Sequence, residues 1–350
     1  MSDTHHHGGR PAAEYGLSFH AGYGCRESGA CCTVGWPIPI ETDRLARAKS
    51  AIRSGLLTPP RGTDHAFVYP PDAPSETPAI LGISDGACVF YRFSGPARCE
   101  LQRVSGHDAL PLACRQFPRI VLRDRRGVSV TLSHFCPTSA GMLERDETPH
   151  IVSTTPLSAA TAALTGLDVR TELPPALRPG MLMGWEDWWQ WETAAVELLA
   201  GEPEPADGLA RLGTAVEAVR MWRPSDGPLA RRIIHAFEVA RSDAIHAHGA
   251  PIFDGLLEAV PDDYHAPAAA ALARRGAPAA AGVRRAFVVA HAFANWTAHL
   301  GEGLRTWLRS IEVAHAMVVS GVSVGDADLL LRHLADPHAL ARVWSRAEGA

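Results

Sequence analysis

Seven cysteines within the first 136 residues are the feature that most constrains how this chain of 350 residues folds. They include an adjacent pair, and the set is Cys25, Cys31, Cys32, Cys88, Cys99, Cys114 and Cys136. Residues 137–350 contain no cysteine, so we expect one local structure to gather the thiols. Turn-forming residues stand beside them, such as Gly29 before the pair and Pro137 after the last thiol. Such residues let thiolates converge on a metal from irregular loops.

Disulfides and inert buried thiols are the alternatives to a metal centre. Disulfides suit exported proteins, but no signal peptide is recognisable and the cysteine count is odd. The adjacent Cys31 and Cys32 are also poorly placed to bridge each other. Free cysteine packs as a small apolar residue, yet seven of them beside glycine and proline do not resemble core positions. We therefore predict a metal centre.

The spacing of the cysteines bears on which metal is bound. Structural zinc sites draw pairs of ligands from short C-x2-C knuckles, and this chain has none. Five residues separate Cys25 from Cys31, and every gap after the adjacent pair is ten residues or longer. Thiolates from such distant segments favour an iron-sulfur cluster, with 4Fe-4S as the expected type, and zinc is the alternative.

Four ordered blocks of sequence surround the cysteines. They are FHAGYGCRESGACCTVGWPIPI from Phe19, DGACVFYRFSGPARC from Asp85, CRQFPRI from Cys114 and LSHFCPTSAGM from Leu132. Together, over about residues 17–145, they resemble the flagellin lysine-N-methylase family, which belongs to a wider group of zinc- or iron-chelating cysteine-cluster proteins. The resemblance implies transfer of a methyl group from S-adenosylmethionine to a lysine of a flagellin-like protein substrate.

The resemblance also implies further site residues. The family has another cysteine where this chain has His20, which makes His20 an eighth metal ligand or a lost ligand position; a neutral imidazole replaces thiolate in Rieske centres. The block that begins at Cys114 looks like the family's Cys-Arg-x-Tyr-Pro-Arg pattern. Arg115 and Arg119 would then stabilise a negative cluster, with surface salt bridges as the alternative. Trp36 would shield the cluster from water or serve as a plain core residue.

The rest of the sequence leaves two functional hypotheses open. No Gly-rich loop between a strand and a helix marks a site for the adenosyl cofactor. The C-x3-C-x2-C run of radical enzymes is absent as well, and no catalytic residue is predicted. The second hypothesis is therefore a non-enzymatic metal protein with a structural, redox-sensing or electron-transfer role.

Charge and hydropathy narrow the range of partners. The 33 basic and 38 acidic residues give a net charge of -5 without a long run of one sign, so we expect no nucleic-acid partner. No stretch approaches the roughly 20 apolar residues of a membrane span. The first ten residues lack the basic start and apolar run of an export signal. We therefore expect a cytoplasmic protein without a membrane partner.

Hydrophobic periodicity predicts a mainly α fold in two domains. We expect a disordered tail over 1–15, an irregular cysteine-cluster domain with a short β-hairpin over 16–148, and an all-helical domain over 149–350. The hairpin joins 119–122 to 128–132 and should carry Cys114 and Cys136 to the same end.

Smaller elements follow from caps, breakers and helical spacing. Thr42 should begin a helix that ends at Ser54, and 59–78 should form an irregular loop. Apolar residues at helical spacing predict helices over 185–199, 209–222, 229–246, 283–300, 304–319 and 326–334. Trp185, Trp188 and Trp189 share one helical face, which predicts a core stripe or, alternatively, an aromatic surface for a partner.

Overall fold

The computed structural model describes residues 12–95, 99–240 and 253–347. About half of these residues are helical and the strands form small sheets, so the fold is mainly α. The chain divides into two units, which we name by their content. The cysteine unit comprises Gly22–Arg119 and Ser133–Ala140, and the helical unit comprises Met1–Ala21, Ile120–Leu132 and Gly141–Ala350.

The regular elements of the described residues are numbered in chain order. The strands are β1 (Ala13–Leu17), β2 (Pro39–Ile40), β3 (Phe67–Val68), β4 (Ala79–Leu81), β5 (Ile83–Ser84), β6 (Ala87–Cys88), β7 (Arg119–Asp124), β8 (Gly127–Leu132), β9 (Ile151–Thr154), β10 (Leu167–Asp168), β11 (Ala176–Arg178) and β12 (Met181–Leu182). The helices are α1 (Thr42–Arg53), α2 (Glu100–Ser105), α3 (Leu112–Gln116), α4 (Pro137–Ala140), α5 (Ala159–Ala162), α6 (Trp185–Gly201), α7 (Pro205–Arg220), α8 (Leu229–Val239), α9 (Phe253–Glu258), α10 (His265–Ala273), α11 (Ala281–Ala292), α12 (Leu304–Val319), α13 (Val324–Leu329) and α14 (Pro337–Ala347).

Short elements around a small apolar core build the cysteine unit. β2, β4 and β3 form an antiparallel sheet in that order, and β5 pairs with β6. α1 turns Leu45 and Ala48, three residues apart on one helical face, toward this core. Cys88, Cys99 and Cys114 pack against the same core. Burial of apolar surface therefore both folds this unit and positions three of its thiols.

Predictions for the cysteine unit hold with one change. The helix predicted over 42–54 is confirmed as α1. The predicted loop over 59–78 contains one short strand, because Phe67 and Val68 pair with β4.

A five-stranded mixed sheet in the order β10-β7-β8-β1-β9 forms the strand layer of the helical unit. β1 runs parallel to β8 and antiparallel to β9, and β10 runs parallel to β7. The predicted hairpin is confirmed as β7 and β8. Its turn depends on Gly127, whose φ is 150° and where a Cβ would lie 2.1 Å from the Ala13 carbonyl oxygen. The hairpin strands group mainly with the helical unit, whereas the sequence placed them in the cysteine domain.

The prediction that 149–350 is all helical is wrong in its first part, which contains β9 to β12. β9 pairs with β1, more than 130 residues earlier, and local periodicity does not reveal such a long-range partner. Residues 13–15 of the predicted tail lie in β1, and residues 1–11 lie outside the described part. The predicted domain limits stay a prediction.

All six helices predicted for the helical unit are present. They correspond to α6, α7, α8, α11, α12 and α13, and α12 has the predicted bounds. α8 ends at Val239, and 241–246 of its predicted extension lie outside the described residues. The predicted helix over 283–300 ends early as α11 and is followed by a 3-10 turn, Trp296–Leu300. α13 continues into a π-helix, Leu330–Leu334.

The tryptophan stripe of α6 lies in the core, as predicted, but on a shifted face. Trp188 and Trp191 are fully buried, whereas Trp185 and Trp189 are half-buried. Trp307 of α12 packs edge-on against both buried rings, with centroids 6.0 and 5.9 Å away. Edge-to-face contacts of this kind favour a single packing arrangement.

A buried ionic group joins the hairpin turn to α6. Arg126 pairs with Asp124 (Nε to Oδ2, 3.2 Å) and with Glu192 (Nη2 to Oε2, 2.5 Å), and both carboxylate side chains are fully buried. Glu192 also accepts a hydrogen bond from the Ala294 backbone at 2.9 Å. Trp189 donates its indole N–H to Asp124 at 3.0 Å.

No helix among the described residues combines the length and apolar character that would let it cross a membrane.

Candidate metal centre

Six of the seven cysteines line one cavity of about 310 Å³ in the cysteine unit. They are Cys25, Cys31, Cys32, Cys99, Cys114 and Cys136. All seven thiols are free. The polar residues that share the wall include Tyr23, Glu27, Gln102, His107, Arg115 and Arg119. As predicted, Cys114 and Cys136 reach the same place, since the chain enters the hairpin from one and leaves it toward the other.

A turn at Gly29 fixes the backbone conformation of the adjacent cysteines, Cys31 and Cys32. Gly29, with φ of 78°, precedes the 3-10 turn Ala30–Cys32, and its carbonyl accepts the Cys32 N–H at 2.9 Å. A side chain is disfavoured at this φ by roughly 1–2 kcal/mol. The turn leaves the sulfurs of Cys31 and Cys32 4.0 Å apart.

Cys31, Cys32 and Cys99 form a group of interacting thiols. The sulfurs of Cys31 and Cys32 are 4.0 Å apart, and the interactions of Cys32 with Cys31 and Cys99 raise the pKa of the Cys32 thiol. The same interactions lower the pKa of Cys31 and Cys99. Hence Cys32 keeps its proton while its two neighbours ionise more readily. A thiophilic cation would replace the shared protons, since thiols bind metals as thiolates.

Two further thiols stand next to this group in less polar surroundings. Burial raises the pKa of Cys88 to about 12 and that of Cys114 well above its ordinary value. Cys114 lies on α3, whose first turn is fixed because Leu112 donates its N–H to the Glu41 carboxylate at 2.8 Å. Cys88 ends β6, and it packs on the core without lining the cavity. A metal cation is the partner that would stabilise the ionised form of Cys114 here.

The remaining two thiols of the cavity, those of Cys25 and Cys136, lie near Tyr23. Its hydroxyl is 3.5 Å from the Cys136 sulfur. Burial and this hydrogen bond raise the pKa of Tyr23, so the phenol stays protonated. Cys25 is the exposed member of the set and accepts the Glu27 N–H at 3.4 Å. Glu27 has a φ of 54°, a left-handed conformation uncommon outside glycine.

Two arginines on the cavity wall have no carboxylate partner in the described part of the chain. The Arg119 guanidinium lies over the Tyr23 ring, 5.2 Å from its centroid. The Nε of Arg115 is buried, with no hydrogen-bond partner among the described residues. The role predicted for these two residues and its alternative, surface salt bridges, both stay predictions. Unpaired cations beside thiols suit a negatively charged group in the cavity.

Besides Cys88, two predicted site residues do not line the cavity, namely Trp36 and His20. Trp36 packs on Phe117, a residue of the cavity wall, and on Phe135, with ring centroids 5.8 Å away in each case. His20 belongs to the helical unit, where it is buried and packs edge-on against Phe19. Shielding by Trp36 and ligation by His20 stay predictions.

Among the described residues, no three cysteine, histidine or acidic side chains stand at the separations that a bound ion imposes. Sequence reasoning missed Tyr23 and Glu27, although both lie within two residues of Cys25. Proximity to a predicted ligand within the first block is the signal that could have found them.

No family model, curated protein or solved structure matches the chain. The resemblance of the four cysteine blocks therefore stands as an inference from the sequence.

Proposed function

We propose that this chain is a cysteine-ligated metal protein and that the cavity of the cysteine unit holds an iron-sulfur cluster. The observation that carries the proposal is the convergence of six free thiols on one cavity. Iron-sulfur clusters are held by four cysteine thiolates and supply a one-electron redox centre. Arg115 and Arg119 would offset the negative charge of such a cluster and donate hydrogen bonds to its sulfurs.

The size of the cavity favours a cluster over a single ion. On the same measure, a single water molecule needs about 10–15 Å³, and the cavity has about 310 Å³. One zinc ion with four thiolates would leave much of this volume unused. A polynuclear centre therefore accounts better for the cavity.

Zinc remains the second candidate because of one distance. A tetrahedral site with Zn–S bonds of about 2.3 Å separates its sulfurs by about 3.8 Å. The sulfurs of Cys31 and Cys32 are 4.0 Å apart. The distance between these two sulfurs is therefore close to the sulfur–sulfur distance in a zinc site.

Metal analysis of protein purified without oxygen distinguishes the two metals. We expect a brown protein that absorbs at about 400 nm and contains iron and inorganic sulfide in equal amounts, because thiolate-to-iron charge transfer colours such clusters. Reconstitution with iron and sulfide should restore the colour after chelation. A colourless protein with stoichiometric zinc, which stays colourless after reconstitution, would contradict the iron assignment.

Catalysis is proposed on the resemblance of the four blocks. On that basis the protein is an S-adenosylmethionine-dependent protein lysine methyltransferase with a flagellin-like substrate. A structural, redox-sensing or electron-transfer centre needs only the cavity and its thiols. For either role we expect the protein to work in the cytoplasm, because cytoplasmic thiols are kept reduced and all seven cysteines are free.

Calorimetry with S-adenosylmethionine separates the catalytic role from the others. If the protein is a methyltransferase, the metal-loaded chain should bind the cofactor saturably, near one molecule per chain. S-adenosylhomocysteine should compete, since it shares the adenosyl and amino-acid groups. Absence of binding to fully loaded protein would favour the non-enzymatic roles.

A further inference from the structure

Arg125 is an exposed arginine of the β7–β8 turn whose guanidinium is already held in place. It lies over the ring of Trp185, 5.5 Å from the centroid, and its Nε donates a hydrogen bond to the Arg170 carbonyl at 3.3 Å. Arg170 itself pairs with Asp168 at 2.5 Å, whereas no carboxylate pairs with Arg125 in the described part of the chain. A guanidinium stacked on an aromatic ring keeps its fork of N–H donors oriented for a carboxylate.

Two exposed leucines lie beside this arginine. Leu173 and Leu182 are 71% and 44% exposed, and each is three residues along the chain from a residue that Arg125 contacts. The segment between those two contacts folds back on itself, because Met183 donates its N–H to the Pro175 carbonyl at 2.9 Å. The two leucines and the stacked arginine–tryptophan pair therefore share one surface, which we call the leucine surface.

The leucine surface also carries two carboxylates. Glu172 precedes Leu173 along the chain and Glu186 follows Trp185, and both acidic residues are exposed. Neither forms an ion pair among the described residues. A free cation, free anions and apolar side chains thus stand together. Such a set is complementary to itself, as the contact of a two-fold symmetric dimer must be.

We propose that the leucine surface is the contact of a two-fold symmetric homodimer. Leu173 and Leu182 pack across the symmetry axis, and the guanidinium of Arg125 in one copy pairs with the carboxylate of Glu186 in the other. Burial of the leucines supplies the attraction. The two charge pairs fix the register, because a shifted arrangement leaves a charge unpaired or places like charges together. This contact lies in the helical unit and needs neither a metal nor the cysteine cavity.

Sedimentation equilibrium of the full chain over a concentration series measures the association. The wild type should form dimers reversibly as its concentration rises. Leu173→Asp should raise the dimer dissociation constant by about tenfold or more, since it buries two carboxylates in an apolar contact. Replacement of an exposed side chain changes stability little, so the circular dichroism spectrum should match that of the wild type.

Leu56→Asp is the matched control. Leu56 is as exposed as Leu173, at 71%, but it belongs to the cysteine unit. This variant should dimerise with the affinity of the wild type. Equal weakening by both substitutions would show that added negative charge, and not the leucine surface, governs association, and the proposal would fail.

Charge reversal tests the pairing across the axis. Arg125→Glu and Glu186→Arg should each raise the dissociation constant by about tenfold or more, because like charges then face each other. An equimolar mixture of the two variants should recover the affinity of the wild type. In the mixed dimer the two reversed charges face each other, and the two original charges do so as well.

Three results would overturn the proposal. A wild type that stays monomeric at every concentration excludes the homodimer, whether or not another protein occupies the surface. Unchanged affinity in Leu173→Asp places the contact elsewhere on the chain. A mixture that associates as weakly as the single variants refutes the pairing of Arg125 with Glu186.

Discussion

Replacing Cys32 with serine is expected to release the metal and unfold the cysteine unit. The Cys32 sulfur lies 4.0 Å from that of Cys31, and Cys32 interacts with Cys99 as well, so its loss disrupts the group at its centre. Serine is a poor ligand for iron, and the free energy of metal binding is part of the free energy of folding, on the order of 10 kcal/mol in small metal domains. Iron per chain should fall close to zero, and amide hydrogen exchange should show lost protection over 22–119.

Ser28→Ala is the matched control for this experiment. Ser28 also lines the cavity, is exposed and carries no thiol. We expect this variant to retain the metal and the protection of the unit. A Cys32→Ser protein that holds its full iron content would show that Cys32 is not a ligand.

Replacing Arg126 with methionine should destabilise the helical unit by about 3–5 kcal/mol, the typical cost of breaking a buried ion pair. The guanidinium stands between the fully buried carboxylates of Asp124 and Glu192. Without it, two buried negative charges face each other with no cation between them. Urea denaturation at pH 7, followed by tryptophan fluorescence, measures the change in the free energy of unfolding.

The pH dependence of this loss follows from the same burial. Burial raises the pKa of Asp124 even with Arg126 beside it. In the variant that pKa should rise further, so the carboxylate becomes protonated in the folded state at a higher pH. A carboxyl group whose pKa is higher in the folded state than in the unfolded state destabilises the folded state above that pKa, and does so progressively less below it. The loss in the free energy of unfolding should therefore shrink as the pH falls from 7 toward 5.

Arg125→Met is the neighbouring control. Arg125 is exposed and lies over the Trp185 ring at 5.5 Å, so its loss should change stability by less than about 0.5 kcal/mol. Equal losses in both variants would show that the buried carboxylates do not depend on Arg126.

Local patterns in the sequence were sufficient to predict the hairpin and the helices. Alternation and the turn at 124–127 predict β7 and β8, and helical spacing predicts α12 with its observed bounds. The partners of the hairpin were not predictable, because β1 and β10 are separated from it by long stretches of chain. The buried face of α6 was misjudged for a similar reason, since Trp191 is fully buried whereas Trp185 and Trp189 are half-buried. Trp307, which packs on Trp191, comes from a distant helix.

Prediction of the candidate site from local sequence has the same limit. Turn residues beside the cysteines predicted their convergence, and six of seven line one cavity. Cys88 fits the same sequence criteria, yet it packs on the apolar core without lining the cavity, because its orientation is set by pairing of β6 with β5. Spacing along the chain does not reveal which way a thiol points.

The order of the strands in the five-stranded sheet determines how this chain can be divided. β9 and β10 are its two edge strands, and all three strands between them precede residue 133. A fragment over 149–350 would therefore carry two edges of a sheet without its middle. The cysteine unit is in effect an insertion between strands of the other unit, so a cut at residue 148 would separate β9 and β10 from the three strands between them.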